Sequence, residues 1–194
     1  MAASNTYHLV TRWALPASPE ELAEILFRDP EDLARWWPAV YLRARQLEAG
    51  DDQGVGARVD LYTKGFLPYT LRWQFRVTEA DLPRFLRLDA EGDFVGRGIW
   101  RLRSLATDGV TIQPMTEVEY DWSIRAEKGM LRTLSPVLRP MFNANHAWAM
   151  RKGERSIRLE LARRRTSDPV VLAALPAPPG PTFPHNLRLL RTRR

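Results

Sequence analysis

SPVLRPMFNANHAWAMRKGERSIRLELARRR, residues Ser135 to Arg165, is the one long stretch with a sustained helical period. Turned at about 100° per residue, it sets Leu138, Phe142, His146, Ala149, Met150, Gly153, Ile157 and Leu161 on one stripe. Arg151, Arg155 and Arg158 fall on the opposite, wet side. Ser135-Pro136 reads as an N-cap and first-turn pair, and Pro140 predicts a kink or restart. Arg163, Arg164 and Arg165 close the helix where its dipole favours cations. Two members of the stripe are unusual: His146 is polar, and Gly153 leaves a gap.

Before this helix the pattern changes to period two. A strand at Tyr7–Leu15 ends at Pro16, and Ser18-Pro19-Glu20-Glu21 starts a helix with Leu22, Ile25 and Leu26 on its apolar face. Asp29-Pro30 opens a second short helix carrying Leu33, Trp36 and Trp37, stopped by Pro38. Strands follow at about Val40–Leu47, Ala57–Thr63, Tyr69–Glu79, Arg84–Ala90, Gly96–Leu105 and Val110–Arg125. Turn chemistry separates them, Lys64-Gly65, Asp81-Leu82-Pro83 and Asp108-Gly109 among the signals. Leu71, Trp73, Phe75 and Val77 alternate with Arg72, Gln74 and Arg76; Val118, Tyr120, Trp122 and Ile124 alternate with Glu117, Glu119 and Asp121. One wet and one bulky apolar face per strand describes a one-sided antiparallel sheet. Six or seven strands with one long amphipathic helix make an α+β fold, the sheet curved over the helix.

Composition bounds the function. At 194 residues and 44% hydrophobic, the chain supports one core, assigned to residues 1–165, with a Pro-rich basic tail at 166–194. No apolar run approaches the ~20 residues of a membrane span, so no integral membrane contact is expected. MAASNTYHLV lacks a secretory pattern, and the absence of Cys fits a cytoplasmic setting. The net charge of +6 divides between tail and body: Arg188, Arg191, Arg193 and Arg194 against Asp168 give the tail +3. The body holds the other +3, its Arg interspersed with acids, so no nucleic-acid partner is expected. His8, His146 and His185 show no metal spacing, and there is no phosphate-binding Gly-rich loop. The sequence therefore calls for no metal and no cofactor. In the tail, Leu175–Pro181 should be extended, while Val170-Val171-Leu172 and Leu187, Leu189 and Leu190 are candidates to dock on the body or a neighbouring subunit, in a homodimer for instance.

The element order, with Trp36-Trp37-Pro38, Gly96-Arg97-Gly98-Ile99-Trp100, Glu119-Tyr120-Asp121-Trp122 and Asn145-His146-Ala147-Trp148-Ala149-Met150 plus Gly153, resembles the SRPBCC (START-like, helix-grip) superfamily. Within it the chain looks most like the bacterial polyketide cyclase/dehydrase and lipid-transport branch. The resemblance covers about residues 7–165. It implies a cavity between sheet and helix for a hydrophobic or aromatic small molecule, and leaves carrier, cyclase and co-chaperone-like interaction module as alternatives.

Such a cavity would be lined by Trp73, Phe75, Trp100, Tyr120, Trp122, Phe142, His146 and Met150. The competing reading is that these aromatics fill the core. His146 is either a buried histidine satisfied by a neighbour or a ligand-facing imidazole; with Tyr120 it is the candidate catalytic pair. Asn145, on the flank, suits a bond to backbone. Gly96-Arg97-Gly98 marks a close backbone approach or a bulge. Asp60 and Tyr62 share a face of their strand, which one the sequence leaves open.

Overall fold

A computed structural model describes residues 6–106, 113–127 and 129–182, with the side chains of residues 126 and 129–138 outside that set. The chain runs β1 (Thr6–Leu15), α1 (Pro19–Leu26), a 3-10 turn (Pro30–Asp32), α2 (Leu33–Trp36), β2 (Tyr41–Glu48), β3 (Arg58–Lys64), β4 (Thr70–Asp81), β5 (Phe85–Gly92), β6 (Phe94–Leu105), β7 (Met115–Ala126), α3 (Gly129–Arg164) and α4 (Pro169–Ala174). The seven strands form one antiparallel sheet in the order β1-β7-β6-β5-β4-β3-β2. β1 and β2 are thus opposite edges, joined by α1 and α2, and α3 packs on the sheet's apolar face.

Local chemistry accounts for these elements. Ser18 Oγ accepts from the Glu21 amide (3.2 Å) while Glu21 Oε2 accepts from the Ser18 amide (3.1 Å), a reciprocal cap that starts α1. Leu22, Ile25 and Leu26 are then buried. On the strands, Leu71, Trp73 and Val77, Trp100 and Leu102, and Val118, Tyr120, Trp122 and Ile124 are buried as alternation requires, with Phe75 packed against them. Their outward neighbours pair across strands: Glu119 takes Arg12 (2.8 Å) and Arg101 (3.2 Å), and Glu117 takes Arg103 (2.8 Å). Asp60 belongs to this outer face, 3.4 Å from Arg43, and Tyr62 beside it lies under the Arg72 guanidinium.

Two expectations fail at the helices. α3 begins at Gly129, so Ser135-Pro136 lies inside it, and Pro140 interrupts no element. A proline removes one backbone donor and adds one clash, a local cost that the buried contacts of Ile157 and Leu161 further along the helix can offset. Ahead of the stretch expected to be extended, the tail contains α4, which the sequence reading did not name: Asp168 Oδ1 accepts from the Val170 amide (2.8 Å) ahead of Pro169, the same cap logic as at α1. Leu175, with extended φ and ψ, ends α4, and no helix or strand follows through Pro181, in line with the non-helical stretch expected there. Val170, Val171 and Leu172 are 75%, 45% and 39% exposed, so they do not dock on the body. Leu187, Leu189, Leu190 and the Asp108-Gly109 turn lie outside the described residues. No described helix is long and apolar enough to cross a membrane.

Candidate functional site: a ring-lined cavity under the long helix

The C-terminal half of α3 is anchored first. Ile157 and Leu161 are buried, and Glu160, 2% exposed, accepts from Arg35 (2.6 and 2.9 Å) and Arg164 (2.8 Å). Burial alone would raise the Glu160 carboxyl; the two guanidinium partners outweigh it and hold the pKa below its ordinary value. Arg165 reaches back to Glu21 (2.9 and 3.0 Å), closing α3 onto the start of α1. Gly153 is the gap noted in the sequence, and Trp37 fills it: a Cβ there would lie 2.3 Å from the indole ring.

Ahead of Gly153, from Phe142 to Met150, the helix faces a cavity of about 130 Å³ between it and the sheet. Its walls are Tyr7 and Leu9 of β1, Trp37, Tyr41 of β2, Tyr69, Leu71 and Trp73 at β4, Phe94 and Trp100 of β6, and Tyr120, Trp122 and Ile124 of β7. Its roof is Phe142, Asn145, His146, Ala149 and Met150. The rings pack on one another, with Trp100 and Tyr120 stacked at 4.1 Å, Trp73 against Trp122 at 5.5 Å and Phe142 edge-on to Tyr7 at 6.1 Å. Gly98, paired with Trp122, makes room for them. A Cβ there would stand 2.9 Å from the Tyr120 hydroxyl and 3.0 Å from the Trp122 ring. The glycine pair on β6 is therefore a close approach, and the register with β7 runs without a bulge.

Polar groups are few and committed. Trp73 Nε1–H donates to Thr63 Oγ1 (3.0 Å). Asn145 Oδ1 accepts from the amides of Phe66 (2.9 Å) and Leu67 (3.3 Å), tying the roof to the β3–β4 turn; a Cβ on Gly65 would collide with it at 2.1 Å. His146 Nε2 lies 3.3 Å from Thr11 Oγ1. It is thus both a neighbour-satisfied histidine and a cavity-wall imidazole. Burial pushes its pKa down to about 4, so it is neutral at pH 7. Burial, and then the neighbouring Tyr41 and Asp121, push the Tyr120 hydroxyl well above its usual range, leaving it a protonated donor. The tail touches the rim: Lys64 Nζ donates to the Thr182 carbonyl, and the Thr182 hydroxyl is 3.2 and 3.3 Å from the Gly65 and Phe66 carbonyls.

Seven of the eight sequence-chosen residues meet here: Trp73, Trp100, Tyr120, Trp122, Phe142, His146 and Met150. Phe75 does not. Two residues further along β4, it lines a second cavity of about 290 Å³ beneath α1 and α2, which shares Trp37, Tyr41, Trp73, Trp100 and Tyr120 with the first. Sequence reasoning missed Tyr7, Trp37, Tyr41 and Tyr69 as wall residues. Trp37 had a signal, the ring-sized gap at Gly153 on the helix stripe; Tyr41 and Tyr69, at strand ends, had none. Among the described residues no group of three or more His, Asp or Glu could hold a metal.

No family model and no curated protein matches the chain. Solved structures do. The Zhui aromatase/cyclase of Streptomyces sp. R1128 superposes with a TM-score of 0.61 at 19% identity, over 84% of this chain and 97% of that one. A START superfamily protein of Mycobacterium smegmatis gives 0.60 at 14% identity, over 81% and 98%. At these identities the likeness is one of fold. The curved seven-stranded sheet, the paired short helices after β1 and the long helix α3 are the helix-grip fold, START-like in architecture.

Proposed function

We propose that this protein binds a hydrophobic or aromatic small molecule in the cavity between the sheet and α3. One observation carries the reading: packed rings wall a space of about 130 Å³ that they do not fill. Core aromatics normally close on one another at interior density; here they face an opening under a helix whose other half is sealed. Apolar walls with a few placed polar groups suit a ligand with one or two oxygens. In this reading residues 1–165 are the binding domain, and 166–194 a tail whose Thr182 touches the cavity rim. Native mass spectrometry of gently purified protein tests it. A released apolar adduct is expected; bare chain that also takes up no added naphthol would end the proposal.

A second reading, cyclisation or dehydration of an aromatic or poly-keto substrate, is favoured by His146. A neutral imidazole on the wall at pH 7 can accept a proton, and Tyr120 can donate to a developing oxyanion. The Zhui aromatase/cyclase, named for such an activity, shares the fold. His146→Gln should then abolish turnover with the fold and most affinity intact; unchanged turnover would remove this reading. An interaction module of the same fold calls for a filled cavity, and two open chambers speak against it.

A further inference from the structure

The two cavities are built of different material. The first is walled by rings. The second has an aliphatic share the first lacks, Leu26, Leu33, Val59, Val77, Leu86 and Leu88, all buried, with Phe27 and Phe75 as the rings it does not share, and it is the larger, about 290 Å³ against 130 Å³. Its outer rim is polar, formed by Arg28 and by the loop whose Asp51 Oδ1 holds the Gln53 (2.9 Å) and Val55 (2.8 Å) amides. Trp37, Tyr41, Trp73, Trp100 and Tyr120 belong to both linings, so the two spaces lie on opposite faces of one aromatic partition.

This division sorts chemistry. A flat ring gains from ring walls through stacked and edge-on geometry. A flexible alkyl chain has no such geometry to satisfy and needs dry volume between branched side chains. The first chamber alone is small for a ligand, since sites for drug-sized molecules run to ~300–1,000 Å³.

We propose that the second cavity is an aliphatic-chain compartment of the same site. The ligand is then an aryl–alkyl molecule, its ring in the first chamber and its chain across the partition, beneath α1 and α2. This rests on the reading that the first chamber takes an aromatic body. It adds the shape and class of the ligand and brings the face of α1, α2 and β5 into recognition.

The experiment uses the full chain and 4-alkylphenols from methyl to octyl, titrated calorimetrically. In the wild type, affinity should rise about fourfold per methylene, the ~0.8 kcal/mol of a buried CH2 group. Ala57→Leu and Val77→Phe, at positions that line only the second chamber, should leave 4-methylphenol binding unchanged and weaken 4-octylphenol at least tenfold. A flat chain-length series in the wild type overturns the compartment, and needs no variant to fold. A slope that neither variant lowers also overturns it. If no phenol of any length binds, the binding function itself fails; if short phenols bind without a slope, only the compartment does.

Discussion

The two halves of α3 carry the same hydrophobic stripe and do opposite things with it. From Gly153 to Arg165 every inward position is filled: Trp37 seats on Gly153, Ile157 and Leu161 are buried, and Glu160 is clamped by Arg35 and Arg164. From Phe142 to Met150 the same stripe roofs a cavity, with His146 and Ala149 half-buried on its wall. A helical period reports which face turns inward; it does not report whether anything meets that face. The sealed half holds the helix in place, which is what lets the other half span open space.

That contrast can be broken by mutation, and the largest effect belongs to the sealed half. Ile157→Ala should lower stability by about 2–5 kcal/mol, as buried large-to-small changes do, while Phe142→Ala over the cavity costs about half as much. Chemical denaturation of both variants measures the difference, and equal losses would erase the distinction between the halves.

Acid is the next probe. His146 has an ordinary pKa of 6.5 and a folded one of about 4. Above pH 6.5 it is neutral in both states and adds no pH dependence. As pH falls toward 4 the unfolded chain takes up a proton that the folded chain refuses. The folded state should therefore lose on the order of 3 kcal/mol across that window. Comparing denaturation curves of wild type and His146→Gln at pH 7 and 4.5 isolates this loss; parallel curves would mean the imidazole is solvated.

Gly153→Ala should cost about 1–3 kcal/mol, the usual range for overpacking, because its methyl group meets the Trp37 ring. Melting in urea would show it, and a neutral result would mean Trp37 is free to move. Smallest is Asn145→Ala, which frees the Phe66 and Leu67 amides and should cost about 1 kcal/mol. Faster amide exchange at those two positions, and not elsewhere, is the signature.

Much of this was legible in the sequence, for reasons tied to local chemistry. Ser18-Pro19-Glu20-Glu21 contains its own cap, and strand alternation in Leu71–Val77 and Val118–Ile124 follows from the pleat. Asn145, on the flank of the helix stripe, suits a bond to backbone on sequence grounds alone, and it accepts two. The rest depended on contacts far apart in the chain. The partner of His146 is Thr11, 135 residues away on the edge strand, and nothing near His146 encodes it. The start of α3 was misread because Ser-Pro is a good cap in isolation and tertiary context overrode it. That Phe75 lines only the second space while Trp73 lines both depends on where α1 and α2 rest on the sheet, which β4 itself does not specify.

The central claim is that rings surround a space made for a ligand. Titration of 2-naphthol into wild type and Ala149→Phe, with melting temperatures recorded for both, tests it most directly. One molecule should bind per wild-type chain, and the added ring in the roof should weaken binding at least tenfold while leaving the melting temperature in place. Equal binding by both proteins, or none by the wild type, would contradict the account.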